Sequence, residues 1–345
     1  MLKLLLISGD YPPNNTGDAN HVFFVARHLA NRGIEVQVLT SAIAGIPHCP
    51  GVQVFPEMRN WSWSSLPRFA RFVRNCRPDA VLQIFDQFGR MYAYQPMMTF
   101  APTVTKKLIP SARFVTQFET PYGIRTRQLS FLTRVLRRGM KRWSRLGPGY
   151  HPYGTLLRDS DHIIVLSEAH RTELIAEYPA LSVKSSLIPP PPLITVCSDT
   201  GPIARARGRA LMGAKEGEFL FAFFGYIYQG KGIETLLYAF REVASRLPQV
   251  RLVLIGGYNS DLFNPEGSTK NKQYWEEIQR LPRDLGIANR VMWTGNYNAE
   301  DDRASLLLGG VDACVLPLDQ GIHLNNSSVA VAAGHSLPII ATRAA

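Results

Sequence analysis

A single cation sits between two glycines in the run GYIYQGKGIETLLYAF, residues 225–240, at Gly230-Lys231-Gly232. An apolar stretch, Phe219–Phe224, leads into this run and a helical pattern follows it, so the lysine stands at a strand-to-helix turn. Glycines let the backbone approach a ligand closely. Free N–H groups at a helix start, together with the helix dipole, favour negative charge. A lysine added there as a point charge makes a phosphate site. A turn that needs glycines and carries a solvated lysine has the same local sequence, and the stretch by itself leaves both readings open.

The elements that position this turn are legible on either side of it. Leu2–Ile7 is an apolar run broken only by Lys3, the pattern of a strand buried on both faces. The polar loop GDYPPNNTGDAN follows, then Val22, Val25, Ala26, Leu29 and Ala30 at helical spacing, closed by Gly33. EVQVLTS, VQVF, DAVLQIF, RFVTQF and HIIVLS read as further strands, and Phe69, Phe72, Val73 and Cys76 mark a helix. The alternation breaks at LIPPPPLI, residues 187–194, because four consecutive prolines fit neither a helix nor a central strand. A loop-like SDTGPIARARG comes next. The pattern then restarts with FLFAFF, VRLVLIGG, RVMWTG, DACVLPL and LPIIAT as strands. Helices are expected over Ile233–Arg246, Lys272–Leu285, Ala299–Leu308 and Ser327–Gly334.

Repeated strand–helix alternation implies parallel sheets covered by helices on both faces. The expectation is an α/β chain of two doubly wound Rossmann-like domains, 1–190 and 191–345, with ligands at the carboxyl ends of the strands and a cleft between the domains. The last stretch, IIATRAA, stops on a strand, so the second domain is expected to be incomplete.

Composition narrows the function classes. The chain has 345 residues, 46% hydrophobic and 19% charged, which is the balance of a globular protein rather than a disordered one. Cys49, Cys76, Cys197 and Cys314 lie far apart without C-x-x-C or Cys/His spacing, so neither a zinc site nor a disulfide framework is readable and a reducing compartment is the default. No Asp-x-Asp or His/Cys cluster suggests a metal. The apolar start is too short for a signal peptide and runs into Asp10 and two prolines. No apolar run approaches the roughly 18 residues that span a bilayer. A cytoplasmic protein is expected.

The net charge of +11 favours an anionic partner. Residues 125–145 hold eight basic side chains and no acidic one, among them Arg134, Arg137, Arg138 and Arg142, interleaved with Phe131, Leu132, Leu136, Met140 and Trp143. That is the composition of a helix lying on an anionic membrane surface. A surface helix with a solvated face has the same composition. The segment contains no nucleic-acid motif, so nucleic acid is not expected as a partner. No G-x-G-x-x-G follows the first strand, which argues against a dinucleotide oxidoreductase.

Several stretches together resemble a known family. ISGDYPPNNTGDANHVFFVARHLANRGIEVQVLTS resembles the opening of GT-B fold glycosyltransferases of the large retaining family, family 4-like and group 1, where Y/F-P-P, a glycine loop, a helix and R-G-H-x-V follow one another. FFGYIYQGKGIETLLYAF resembles that family's G-R-x-x-x-x-K-G-x-x-x-L-x-x-A. VRLVLIGG, VMWTGNYNAEDDRASLLLGGVDACVLP and AVAAGHSLPIIAT continue the resemblance in order, over nearly the whole chain. The departures are local. Tyr226 stands where the family has an arginine. His323 and Val331 stand at the places of its two glutamates, and Phe118 or Gln117 at that of its N-domain histidine. LDQGIHLNNSS resembles a branch with an Asp-Gly stretch and a basic-Gly-Ser turn, here with Asn325, Asn326 and Ser327 in the turn.

The resemblance implies a metal-independent transferase without a cofactor, taking a nucleotide diphosphate sugar as donor and a sugar or lipid-linked acceptor, in cell-surface polysaccharide or glycolipid synthesis. It implies an acceptor-side N-terminal domain and a donor-binding C-terminal domain. Lys231 would stabilise the charge that builds on the departing diphosphate. Donor contacts would come from Gly17, Gly225, Tyr226, Asp319, Gly321, Asn326, Ser327 and Ser328. With Lys231, His323 and Glu119 would be the catalytic residues, His323 at a sugar-contacting position and Glu119 in contact with acceptor or donor. Ser327 and Ser328 open a helix and can serve as caps; Glu119 can equally cap a helix, and Asp319 beside Pro and Gly is an ordinary turn residue. His21 and His28 read as structural or solvated. The implied location is cytoplasmic, peripheral at the inner face of the membrane. A non-catalytic nucleotide- or membrane-binding relative is the alternative that the departures raise.

Overall fold

The computed structural model describes residues 1–85, 96–118, 155–199, 201–259 and 265–343. The chain divides into two compact units. One comprises Met1–Asn14 and Asp18–Pro189, the other Asn15–Gly17 and Pro190–Ala345.

The first unit is built on a seven-stranded sheet of β1 (Lys3–Ile7), β2 (Glu35–Ser41), β3 (Val52–Met58), β4 (Ala80–Phe85), β5 (Arg113–Phe118), β6 (His162–Val165) and β7 (Ser185–Leu187). Its order is β3-β2-β1-β4-β5-β6-β7, and every pair is parallel. Among the described residues the α-helices between strands are α1 (Gly17–Asn31), α2 (Leu66–Cys76), α3 (Ala101–Leu108), α4 (Leu156–Asp159) and α5 (Glu168–Glu177). Leu5, Leu6 and Ile7 of β1 are fully buried, because successive side chains of a central strand face opposite covered sides of the sheet. On one side Leu5 and Ile7 join Phe69 and Val73 of α2 and Phe114 of β5. On the other, Leu4 and Leu6 join Val22, Phe23 and Ala26 of α1.

The second unit holds β8 (Phe219–Phe224), β9 (Val250–Ile255), β10 (Val291–Trp293), β11 (Ala313–Leu316) and β12 (Ile339–Ala341), ordered β10-β9-β8-β11-β12 and again parallel throughout. Its helices are α6 (Gly201–Leu211), α7 (Ile233–Arg246), α8 (Pro265–Asp284), α9 (Arg303–Gly309) and α10 (Ser327–Gly334). One cluster forms the core, with Leu220, Ala222 and Phe224 of β8 against Leu237 and Phe240 of α7. In both sheets the order reverses beside the first strand, between β1 and β4 and between β8 and β11. Such reversals leave a crevice at the carboxyl ends, where open α/β sheets bind ligands.

Local structure departs from the sequence expectation in three places. SDTGPIARARG, read as loop, contributes most of α6. Proline is tolerated in a first helical turn, and the alanines, arginines and leucine that follow are good helix formers. Gly208 is what lets α6 dock: a Cβ there would collide with the Leu306 carbonyl of α9, and one on Gly310 would stand 2.6 Å from the Gly208 backbone. α8 begins at Pro265 rather than Lys272 and keeps Pro282 in its last turn. α9 begins at Arg303, later than Ala299, because residues 298–302 form turns in which Asn298 Oδ1 accepts from the Glu300 N–H and Asp301 Oδ1 from the Arg303 N–H. Among the described residues no helix is long and apolar enough to cross a membrane.

Candidate functional site

The C-terminal edge of the second sheet is floored by backbone. β8 ends in Gly225, with φ +136°, and β9 ends beside Gly256, with φ +134°, both outside the range that side-chain-bearing residues adopt easily. A Cβ on Gly256 would collide with the Gly225 carbonyl, and Gly256 in turn forms a bridge with Gly295 after β10. A Cβ on Gly225 would stand 2.9 Å from Ser328 Oγ. The end of β8 and the first turn of α10 therefore meet directly, on the two sides of the reversal in strand order.

Lys231 lies on the turn between β8 and α7. Its N–H donates to the Tyr228 carbonyl at 3.1 Å, closing the turn, and its Nζ lies 4.8 Å from the centre of the Tyr228 ring. Gly232 caps α7 in the left-handed region, φ +66°. A Cβ on Gly232 would collide with the carbonyl oxygen of Pro317, just after β11. The Asp319 N–H donates to the Gly230 carbonyl at 3.2 Å, so the loop after β11 is tied to the lysine's turn at two points. The Asp319 side chain is exposed. Tyr226 is buried, and its ring stacks on Tyr297 with centroids 5.4 Å apart and planes 13° apart.

The turn before α10 is held by its own side chain. Asn326 Oδ1 accepts from the His323 N–H at 2.6 Å, and the Asn326 N–H donates to the His323 carbonyl at 3.0 Å. Gly321, φ +72°, supports the bend, its N–H donating to the Leu318 carbonyl at 2.8 Å. Asn326 occupies the cap position of α10 but its side chain makes no capping bond there. Ser327 is the first helical residue and Ser328 is buried, so neither serine is the cap that their place in the sequence allowed. The first turn of α10 thus keeps N–H groups without a capping side chain, which is what an anion site requires. His323 is half-buried.

Gly225, Lys231, Ser328 and the backbones of Asp319 and Gly230 are brought to one edge of the second unit by these contacts. Gly17 is the first residue of α1, and Asn15–Gly17 group with the second unit. Glu119, Arg134, Arg137, Arg138, Arg142 and Trp143 lie outside the described residues. Among the described residues no three His, Cys, Asp or Glu side chains gather where they could hold a metal ion.

Two relationships were not readable from the sequence. Tyr274 of α8 donates its hydroxyl to Glu234 Oε2 at 2.6 Å. Burial, then this bond, then the charges of Glu234 and Asp319 push the phenol well above its ordinary range. Residues forty apart in sequence carry no local signal of such a pair. In the first unit, His21 is buried on α1 and its Nε2 meets the side-chain amide of Gln117 at 2.8 Å, at the end of β5. His28, two turns further along α1, is exposed.

Residues 16–191 match the family described as Glycosyltransferase Family 4, and residues 218–345 match the one described as Glycosyl transferases group 1. The chain belongs to glycosyltransferase family 4. A D-inositol 3-phosphate glycosyltransferase of Segniliparus rotundus is 30% identical to this family 4 chain over 151 residues, which is 43% of the chain and 30% of that protein. The match thus spans less than a third of the relative's length. Among solved structures, WaaG, a glycosyltransferase involved in lipopolysaccharide biosynthesis, superposes with a TM-score of 0.62 at 16% identity, covering 97% of this chain and 80% of its own. Sucrose-phosphate synthase from Thermosynechococcus elongatus superposes with a TM-score of 0.62 at 15% identity, covering 98% and 80%. HepE of Anabaena, in complex with UDP-glucose, superposes with a TM-score of 0.57 at 16% identity, covering 92% and 74%. At these identities the likeness is one of fold. The family 4 chain has the GT-B fold, two Rossmann-like domains each with a parallel sheet.

Proposed function

We propose that this protein transfers a sugar from a nucleotide diphosphate sugar to an acceptor hydroxyl, with retention of configuration. The observation that carries the reading is the contact between Gly225 and Ser328, beside the Lys231 turn, at the reversal in strand order of the second unit. In this reading the second unit, 191–345, binds the donor. The departing diphosphate takes up negative charge as the glycosidic bond to it breaks. Lys231 Nζ and the uncapped N–H groups of α10 stabilise that charge, and they do so more strongly in the transition state than in the ground state. Ser327, Ser328 and Asn326 add neutral donors, and the backbone at Gly225 leaves room for the phosphates. Gly17, Asp319, Gly321 and Tyr226 contact the rest of the donor, and His323 and Glu119 stand near the sugar. HepE was solved with UDP-glucose and a starch synthase from Arabidopsis thaliana with ADP, which supports a nucleoside diphosphate as the common element.

The first unit, 1–190, is assigned the acceptor side. The basic segment with Arg134, Arg137, Arg138, Arg142 and Trp143 favours an acceptor presented at an anionic membrane, so the product class is cell-surface polysaccharide or glycolipid. The working location is the cytoplasm, peripheral to the inner face of the membrane.

A panel of nucleoside diphosphates and nucleotide sugars in thermal unfolding tests the donor. A ligand that binds only the folded state raises the midpoint in proportion to the logarithm of its concentration. One nucleotide sugar and its parent diphosphate should both raise it. Hydrolysis or transfer from that nucleotide sugar with membrane extract then separates an enzyme from a non-catalytic relative. A shift without turnover supports the latter, which the tyrosine at 226 favours by removing a cation. No shift from any member of the panel would count against donor binding altogether.

A further inference from the structure

Along α8, Glu276 and Arg280, Arg280 and Asp284, and Gln279 and Arg283 stand four residues apart, the spacing at which side chains on a helix pair. All five are exposed, and none forms an ion pair or a side-chain hydrogen bond among the described residues. Elsewhere in the same unit converging charges are paired. Arg205 meets Asp312 at 2.5 Å, Arg251 meets Glu218 at 3.2 Å, and Arg207 pairs with Asp199. On α8 itself, Tyr274 is bonded to Glu234. The C-terminal half of this helix thus holds a set of strong donors and acceptors that the fold does not use.

The same five residues line one groove of about 520 Å³ together with Trp293. That volume is within the range of about 300–1,000 Å³ typical of small-molecule clefts. Trp293 ends β10, the edge strand of the second sheet among the described residues. Its ring meets Trp275 at a right angle, with centroids 5.3 Å apart and planes 87° apart. A perpendicular neighbour fixes an indole and covers at most one of its faces. Both tryptophans pack against the core of the unit, so the aromatic wall of the groove is rigid while its polar side chains are not committed. The groove shares no residue with the edge that carries Lys231 and Ser328.

We propose that this groove binds a neutral saccharide chain, as a second site on the donor unit. The charges that line it cancel, two carboxylates against two guanidinium groups, so it selects neither an anion nor a cation. A neutral ligand with many hydroxyls fits it. Adjacent hydroxyls of a pyranose donate and accept in pairs. A carboxylate accepts two such bonds, a guanidinium donates two, and the Gln279 amide does one of each. The C–H face of the sugar ring is apolar and lies well against the negative face of an indole. A nucleic-acid strand would bring phosphates against Glu276 and Asp284. A protein partner needs an apolar centre to its contact, and here one indole stands among charges. The use of the site rests on the reading of this protein as a sugar transferase. A chain held by the groove stays at high local concentration between transfers.

The test is calorimetric titration of the full chain with neutral hexasaccharides of glucose, mannose and galactose, and with hexagalacturonate as the acidic control. At least one neutral hexasaccharide should bind saturably and more tightly than hexagalacturonate. Its affinity should be unchanged in Lys231→Ala, which leaves the groove intact. Trp293→Ala should weaken it at least tenfold. If that variant melts early, the pair Gln279→Ala and Arg283→Ala, both exposed, decides instead and should weaken it several-fold, while the shift in melting temperature given by nucleotide sugars stays as in the parent. The proposal is overturned if no neutral hexasaccharide binds, if hexagalacturonate binds more tightly, or if the groove variants bind as the parent does, which places the saccharide elsewhere. Saccharide binding lost in the groove variants, in a chain that no nucleotide sugar stabilises, keeps the groove and removes the donor reading. A nucleotide-sugar shift without saccharide binding does the reverse.

Discussion

Gly232 and the carbonyl oxygen of Pro317 are packed so closely that no Cβ fits between them. The glycine starts α7 in a left-handed conformation, φ +66°, and the carbonyl belongs to the residue that follows β11. The Lys231 turn and the loop leading to Asp319 are thereby set against each other by backbone alone. The bond from the Asp319 N–H to the Gly230 carbonyl repeats the tie one step away.

Replacing that glycine should therefore cost stability and site geometry together. Gly232→Ala adds a left-handed alanine and a clash with a backbone atom that cannot rotate away, on the order of 2–5 kcal/mol. Gly230→Ala has open space around its Cβ and meets only the backbone term, φ +98°. In urea unfolding, Gly232→Ala should be the less stable of the two. Equal midpoints for both variants would mean the contact relaxes at no cost.

Lys231→Ala should leave the fold intact and weaken the donor. The side chain is half-buried over the Tyr228 ring, an arrangement worth about 0.5–1 kcal/mol near the surface. A charged hydrogen bond to a diphosphate is worth about 1.5–3 kcal/mol, or about tenfold to a hundredfold in affinity. The melting temperature without ligand should drop by no more than a few degrees, while Kd for the nucleotide sugar rises by that factor. An unchanged Kd removes Lys231 from the site and leaves it as a packing residue.

The four cysteines are buried and none is in a disulfide, and two of them, Cys76 and Cys314, are held protonated. Burial pushes the Cys76 thiol up to about 11, against an opposing pull from Lys3, and its Sγ donates to Gln37 Oε1 at 3.0 Å. Burial pushes the Cys314 thiol up to about 12. The thiolate is the reactive form, so a thiol reagent at pH 8 should modify neither residue in the native protein and both after denaturation. Mass spectrometry of the modified peptides reads this directly. Rapid native labelling at Cys314 would show that β11 is open to solvent.

The fold was legible where a single element carries its own signal. The β1 run Leu4–Ile7 and the β8 run FLFAFF are apolar because both sheet faces are covered, and α7 shows its period through Ile233, Leu236, Leu237 and Phe240, all buried. Helix α6 was not legible. Its sequence opens on Gly-Pro and contains Gly208, which weakens a helix in isolation; the gain comes from docking on α9, a contact made about a hundred residues away. The candidate site divides in the same way. The glycine-bracketed lysine announces a turn by residue type. That Gly225 faces Ser328, that Tyr274 bonds Glu234 and that His21 meets Gln117 are pairings between distant segments, decided by strand order and helix packing, and no periodicity records them.

Asp161 links acid stability to the packing of the first unit. It precedes β6, accepts from Lys106 Nζ of α3 at 2.8 Å and from the Phe114 N–H of β5 at 2.7 Å, and has Arg113 at 3.6 Å. Burial alone would raise its pKa, but the two hydrogen bonds and the charges of Lys106 and Arg113 outweigh it, so the folded value lies below the ordinary one of about 3.9. The sign follows from linkage. Above the unfolded value the carboxylate is ionised in both states and its stabilisation is complete. As pH falls below that value the unfolded chain takes up the proton first, and the contribution drains away until the pH passes through the lower folded value. Asp161→Asn should thus cost about 1.5–3 kcal/mol at pH 7, the range for hydrogen bonds to a charged group. The gap between parent and variant should narrow steadily below about pH 4, since only the parent carries the titrating group. Urea unfolding of both proteins at pH 7, 5, 4 and 3 measures the gap. A difference that stays constant, or widens as the pH falls, would show that the carboxylate of Asp161 is not what holds α3 and β5 to β6.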